Sequence, residues 1–452
     1  MSRNLAISQL LEDIDEISLA IIAQTAILHD LKAKRLEAQH KLNLFLDPMA
    51  RLPLELQSYI FLFMDSQSLP QKPNPNAAPI LFLRVCRLWR DIALATPMLW
   101  TKIQIDTPPC GPNHLGLCEM WLKRARSLPL SVTLRGPLRL DQNLQDMLAQ
   151  YSPQLKDLTL TKRLSAGNGP QYPYVVWELP EESLPSLKTL SIEPAGGYKN
   201  AFWGNIEEWL EILRAAPRLS HCKMVDTFHD EEEVDVPPSQ LLMLASLECM
   251  QLGEPGTLNL RGTAGSSSLA ILRYLTLPAL KVLTLSEPDI AHEAFLSFLS
   301  RSSPPLESLE MTLPHEEPWL ETVVSRFLPL IPQLVTLDLA AVSQDNLLQV
   351  SDLFLPYIDL LASSSEVLPH LRMIVFRTDS LATIPYDDVL RMLRFRFTSC
   401  PARLERFELK IADYMDSDSM NELPNEEVRV GLQQLVRDGL KIHIGTPEDN
   451  ML

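Results

Sequence analysis

Glycine is scarce, with 15 residues in a chain of 452. Phosphate-cradling loops and nucleophile elbows need glycine for close backbone approach. No P-loop, G-x-G-x-x-G or G-x-S-x-G motif occurs. Basic charge is also short. Forty Lys and Arg face 57 Asp and Glu, a net charge of −17, which repels a phosphate backbone and argues against nucleic acid as a partner. Six cysteines without paired spacing read as reduced intracellular thiols. Glu12, Asp13, Asp15 and Glu16 exclude a signal peptide at the start. The longest uncharged apolar stretch there, Ile17 to Leu28, is too short to span a bilayer, and no lipidation motif closes the chain. A protein of the cytoplasm or nucleus, away from membranes, is expected. Wholesale disorder is excluded by 46% hydrophobic and 21% charged residues, and the length suggests two or three folded units.

Leucine is what the chain has in excess: 84 residues, where a share of about a tenth is usual. Proline is also frequent, at 36. Leucine recurring with proline at element boundaries indicates a repeat architecture.

From Leu5 to Phe45 there is neither Gly nor Pro, and apolar residues recur every seven positions at Ile7, Ile14, Ile21 and Leu28, with Leu10, Ile17, Gln24 and Leu31 three further on. These are a and d positions of a heptad, with Gln24 a polar d residue. A long helix follows. It either pairs two chains as a coiled coil or folds back on its own domain, since Leu19 and Ile22 widen the stripe beyond the seam.

Asp47-Pro48 ends this helix. Leu52-Pro53-x-Glu55-Leu56, Ile60-Phe61, Val85-Cys86-Arg87-x-Trp89-Arg90 and Leu99-Trp100 then follow in order. By pattern this is a small helical domain, with one helix after Pro53 and a second running through Ile80 to Ala93. The ordered run resembles the F-box, whose pattern is an LPxE[LI] opening, an Ile-Phe pair, a VC-(K/R)-x-W segment and a closing LW. A proline-rich insert at 65–79 departs from the shortest members. The resemblance implies docking on the Skp adaptor, and through it on a cullin, with Leu52, Pro53, Leu56, Ile60, Phe61, Val85, Cys86, Trp89, Leu99 and Trp100 supplying the adaptor surface or the core behind it.

After Leu128 the phrase L-x-x-L-x-L returns, usually behind a proline, at Leu155, Leu187, Leu219, Leu247, Leu280, Leu306, Leu334, Leu371 and Leu404. Helical stripes fill gaps, such as Ile206 to Leu213, Val323 to Leu328 and Val389 to Phe397. Helix, proline-marked turn and short strand repeat as in a leucine-rich-repeat solenoid, with parallel strands on its concave face. A TIM barrel, the rival for repeated β–α units, favours more β-branched strands. Strand alternation turns Leu158 and Leu160 inward and Asp157, Thr159, Thr189, His221, Lys223, Glu310, Asp338, Arg377 and Arg406 outward, as candidates for binding a target protein.

Other clusters are less specific. Cys110, His114 and Cys118 supply three ligands where structural zinc takes four. His221 and Cys222 are adjacent and face opposite ways in a strand. The acidic run Asp230–Asp235, the Gly262–Ser268 loop and the Asp413–Glu427 stretch read as solvated insertions. Neither metal nor cofactor is expected, and no catalytic constellation stands out. The expected chain is α+β and multi-domain. It has an amphipathic helix over 1–46 with the capacity for a homodimer, a three-helix F-box over 47–105 and an α/β leucine-rich-repeat solenoid over 106–452. The expected role is a non-enzymatic substrate receptor of a ubiquitin ligase; an interaction scaffold outside any ligase is the alternative.

Overall fold

The computed structural model describes residues 2–66, 72–74, 76–107, 114–136, 142–162, 183–194, 206–225, 241–253, 268–286, 292–313, 322–341, 350–378, 384–411, 424–446 and 450. The acidic run at 230–235, Cys110, and most of the 262–268 and 413–427 stretches lie outside them, as does part of the 65–79 insert. The chain is α+β, with two compact units: residues 1–103 with 117–128, and residues 104–116 with 129–452.

In the first unit α1 (Ser2–Leu46) is one unbroken helix, as a stretch free of helix breakers allows. Its apolar side chains from Ile7 to Leu42 are half or more exposed, so the fold-back alternative is not realised. Asp47 begins a short 3-10 turn, Pro48–Arg51. One carboxylate oxygen accepts the Met49 N–H at 2.9 Å and the other accepts the Trp89 indole N–H at 2.9 Å. Pro53 then precedes α2 (Leu54–Ser66). The expected second helix is two: α3 (Phe82–Val85) and α4 (Arg87–Ala95), separated by Cys86 in extended conformation. The break has a local cause. Cys86 is the N-cap of α4, its Sγ accepting the otherwise orphaned Trp89 N–H at 3.5 Å. Phe61 stacks on Phe82 at 4.2 Å, and Trp89 lies 5.1 Å from Phe61. A second aromatic contact brings in α5 (His114–Arg124) from Leu117 onward: Trp100 and Trp121 meet edge to face at 5.3 Å, and Arg124 sits 4.5 Å over the Trp100 ring.

The second unit is organised by a 12-stranded sheet. Its strands are β1 (Lys102–Asp106), β2 (Leu130–Arg135), β3 (Leu155–Lys162), β4 (Thr189–Pro194), β5 (His221–Met224), β7 (Cys249–Leu252), β9 (Val282–Leu285), β10 (Ser308–Thr312), β11 (Thr336–Ala341), β12 (Met373–Thr378), β13 (Arg406–Ile411) and β14 (Lys441–Gly445). They pair in chain order, and every described pairing is parallel. The intervening β6 (Leu242–Met243) and β8 (Leu275–Thr276) form a separate parallel pair. Each of the nine L-x-x-L-x-L phrases ends in one of the sheet strands, from β3 to β13. The phrase does not reveal β1, β2 or the β6–β8 pair.

Connections carry α6 (Gln142–Tyr151), α7 (Ile206–Ala215), α8 (His292–Ser302), α9 (Thr322–Phe327), α10 (Val350–Ser363), α11 (Tyr386–Thr398) and α12 (Glu426–Arg437). The proline before five of the phrases has a defined job. In Leu184-Pro185-Ser186-Leu187, Ala216-Pro217-Arg218-Leu219, Leu277-Pro278-Ala279-Leu280, Ile331-Pro332-Gln333-Leu334 and Leu368-Pro369-His370-Leu371, the last N–H bonds to the first carbonyl at 3.1–3.4 Å. Proline is thus the second residue of a β-turn, where its fixed φ fits.

Two arginines tie helices to what precedes them. Arg301 in α8 donates to the carbonyls of Leu272, Arg273 and Leu275. Arg396 in α11, buried, donates to those of Leu361, Ser364, Val367 and Leu368 at 2.7–3.2 Å, closing the end of α10. Beyond β14, the Asn450 side-chain oxygen accepts the Ile444 N–H at 3.0 Å, and Asn450 bridges to Gly445 in antiparallel sense.

Two substitutions report on these anchors. Asp47→Ala removes a cap and the Trp89 partner and is expected to lower stability by about 1–2 kcal/mol, measured by urea unfolding followed through tryptophan fluorescence. Arg396→Leu keeps the bulk but orphans several carbonyls, for an expected loss of about 3 kcal/mol or more, read from the unfolding midpoint in guanidinium chloride.

Candidate functional site

Each unit offers one candidate surface. In the first, α2 is apolar on two sides. The Gln57–Phe61 side faces inward: Phe61 is fully buried against Phe82, and the Gln57 amide donates to the carbonyls of Met49 and Leu52 at 2.8 Å. The other side carries Leu56, Tyr59, Ile60 and Phe63, spaced i, i+3, i+4 and i+7, and exposed by 50%, 65%, 36% and 57%. Spacing of that kind forms one continuous helical stripe. The same unit exposes Leu54, Met64, Val85 and Met98. An apolar concentration of this sort on a small unit marks an interaction surface.

The sequence-selected residues therefore separate into two roles. Pro53, Leu56, Ile60 and Val85 are exposed; Leu52, Cys86 and Trp89 are half-buried; Phe61, Leu99 and Trp100 are buried. The buried three position the surface without forming it, and the Trp100 indole N–H is consumed by the Ala93 carbonyl at 2.9 Å. Tyr59 and Phe63 were not singled out by the motif. Their signal is the helical spacing from Leu56, visible once Phe61 is assigned to the inner side.

In the second unit the sheet's polar face is a set of straight rows, because the register never slips between β3 and β14. One row runs Ser131, Asp157, Thr189, His221, Cys249, Val282, Ser308, Thr336, Met373, Arg406, Lys441. The next contains Thr159, Lys223, Glu310 and Asp338, and Arg377 lies in a third. Asp157 accepts the Ser131 hydroxyl at 2.7 Å. Lys223 pairs with Glu193 at 2.7 Å. Burial would raise the Glu193 carboxyl, but the Lys223 and Ser191 hydrogen bonds outweigh it and hold its pKa below the ordinary value. Glu193 and Glu408 belong to this face as well; Glu193 lies one residue past its phrase, where continuing the alternation finds it, and Glu408 lies inside its phrase, between Phe407 and Leu409.

Three selected residues converge. Arg377 meets Asp338 at 2.5 Å and Glu310 at 3.4 Å. Arg406 and Lys410 both pair with Glu408. Asp338 and, two strands away in the same row, Thr284 are buried rather than solvent-facing. Asp338 is flanked in register by Glu310 and Val375 and held by Arg377, which covers it. Burial pushes the Asp338 carboxyl up to about 6, against the pull of Arg377 and with a further push from Glu310. Its second oxygen and the Arg377 Nε have no hydrogen-bond partner among the described residues.

Burial, with Cys249 alongside, pushes the Cys222 thiol up to about 12, far from a nucleophilic thiolate. His114 and Cys118 lie on α5, with Cys110 outside the described residues, and no group of three metal-ligating side chains forms among the described ones. No described helix is long and apolar enough to cross a membrane. No family model matches the chain, and no curated protein matches it.

The Asp338 environment gives a pH signature. Its folded pKa of about 6 lies above the ordinary 3.8, so the folded state holds the proton more tightly. Its contribution to stability is greatest below the unfolded value and is lost as pH rises through the folded one. Asp338→Asn removes this dependence. The stability of the native protein relative to the variant is expected to fall by on the order of 2 kcal/mol between pH 4 and pH 7, measured by paired urea titrations.

Proposed function

We propose that this chain is a substrate-recognition subunit of a Skp–cullin–F-box ubiquitin ligase. The first unit docks on the Skp adaptor and, through it, on the cullin. The sheet-bearing unit acts as a leucine-rich-repeat-like solenoid whose concave strand face holds a target protein. The chain performs no bond chemistry and needs no cofactor. It accelerates ubiquitin transfer by holding the target's lysines near a charged enzyme elsewhere in the complex, which raises their effective concentration.

The observation that carries this reading is the two-sided α2. Its inner side completes a core through Phe61, while Leu56, Tyr59, Ile60 and Phe63 remain on the surface of a unit that also exposes Pro53 and Val85, within the ordered motif from Leu52 to Trp100. A stable small domain gains nothing from four exposed large apolar side chains in a row; a docking helix does. The target is met by hydroxyls and the Lys223–Glu193 pair on the early strands and by the Glu310–Asp338–Arg377 and Arg406–Glu408–Lys410 groups on the later ones, so a polar, mixed-charge partner surface is favoured over an apolar one.

The test is capture of the full chain by immobilised Skp adaptor. The native protein is expected to bind. Leu56→Asp with Ile60→Asp is expected to lose at least about 100-fold in affinity, equivalent to two interface anchors, with an unchanged circular dichroism spectrum. Failure of the native chain to bind sinks the ligase reading and leaves a scaffold outside any ligase. Binding that survives the double substitution sinks the assignment of the face.

A further inference from the structure

Among the described residues nothing covers the apolar stripe of α1. Ile7, Leu10, Ile14, Ile17, Ile21, Leu28 and Leu31 occupy a and d positions, Leu11 and Ile27 flank them at e and g, and each is half or more exposed. Water contact over a stripe this long is unfavourable, and a helix supplies no tertiary burial of its own. Each such side chain withdraws on the order of 80 Å² when buried. Nine of them approach the ~800 Å² per partner of a stable specific interface. A second copy of the same helix matches that area and that heptad spacing.

Charge decides the direction. Between Ile7 and Gln24 the helix carries Glu12, Asp13, Asp15 and Glu16 and no base. Between Gln24 and Leu46 it carries Lys32, Lys34, Arg35 and Lys41 against Asp30 and Glu37. Parallel pairing would set four carboxylates beside four. It would also pair g with e residues as Asp13–Ser18, Ile27–Lys32 and Lys34–Gln39, with no attraction among them. Antiparallel pairing lays the acidic half of each helix along the basic half of the other.

We infer that α1 pairs with α1 of a second copy as an antiparallel two-stranded coil, in the register that sets Asp13 of each helix beside Lys34 of the other. In this register Ile14 faces Leu31, Ile17 faces Leu28 and Ile21 faces Gln24, each layer occurring twice by symmetry. The two Gln24 side chains fall within one turn of the dyad, where a single polar pair fixes alignment. Arg35 faces Leu10 toward the ends, and its charged head reaches solvent past the apolar stem. Slipping by one heptad would bring Arg35 into the inner layers against Ile17. Neither Ser18 nor Thr25 demands a partner, since their hydroxyls donate to the carbonyls of Ile14 and Ile21 at 2.7 Å on their own helix. Lys34 now pairs with Asp30 on its own helix at 2.7 Å, with both side chains exposed. Such a pair contributes little and exchanges readily. The arrangement does not depend on adaptor binding.

The test uses the full chain. Sedimentation at 1–50 μM is expected to show a dimer, reduced to monomer by Ile14→Glu with Ile21→Glu while adaptor capture is unaffected. A monomeric native chain, or a species larger than a dimer, overturns the inference. Direction and register are read by carbodiimide coupling of a subunit-exchanged mixture of ¹⁴N and ¹⁵N protein, followed by mass spectrometry. Mixed-isotope Asp13–Lys34 links are expected. Mixed links Lys34–Asp30 or Lys34–Glu37 without them indicate parallel chains, and Asp13–Lys41 links alone indicate a slipped register; either overturns it. Asp13→Lys is expected to weaken the dimer about fivefold, two exposed pairs being turned repulsive, and Lys34→Asp in the same chain to restore it. Failure of that restoration also counts against the pairing.

Discussion

One backbone hydrogen bond, made nine times, governs the sheet-bearing unit. The second residue of each leucine phrase after the first donates its N–H to the carbonyl of the second residue in the phrase before: Lys188 to Lys156, Ser220 to Lys188, Glu248 to Ser220, and so on through Lys281, Glu307, Val335 and Arg372 to Glu405; Lys441, which follows Leu440 at the start of β14, makes the ninth to Glu405. Most of these carbonyls accept the following N–H as well. With that residue held, the strand after it can align in only one register, and the period of two then fixes which side chains are covered. The Leu-x-Leu pairs become the inner rows and the residues between them become the polar face. Exposed side chains at the anchoring residue follow the same logic, since Lys281 reaches Glu248 and Arg372 reaches Glu405 in adjacent phrases.

The first unit solves a different problem with less material. Two aromatic groups, Phe61–Phe82–Trp89 and Trp100–Trp121, serve as its core. Asp47, between α1 and α2, links the start of the unit to Trp89 on α4. With so small an interior, apolar residues exceed the sites available to bury them, and the excess lies on α1 and on the outer side of α2. That both surplus stripes keep helical spacing, rather than scattering, is what gives each a defined direction.

Much of this was legible in the sequence because it rests on periodicity. The heptads of α1, the nine phrases and the prolines ahead of them state local geometry directly. What stayed hidden depends on distance in the fold. Cys86 reads as a mid-helix residue until its thiol is seen capping α4. Arg396 reads as one more charge on an amphipathic helix, and only the end of α10 beside it explains its burial. Asp338 was placed on the right face but expected in solvent, because alternation gives direction and says nothing about a neighbour such as Arg377 lying over it. The division of the Leu52–Trp100 motif into exposed and buried members required knowing which side of α2 meets Phe82. The inclusion of Leu117–Leu128 in the first unit, through Trp121, has no sequence signature.

A parallel sheet whose strands add in chain order has two ends, and an open end is a template for any strand that drifts near. At β14 the chain supplies its own stopper: Asn450 occupies the Ile444 N–H and bridges back to Gly445. The antiparallel sense of that short bridge breaks the rule that every earlier strand follows. A further parallel strand, from this protein or another, meets a side-chain amide where it would need a free backbone. Growth by edge pairing is thereby discouraged, and a protein carrying so many leucine-rich strands keeps its sheet finite.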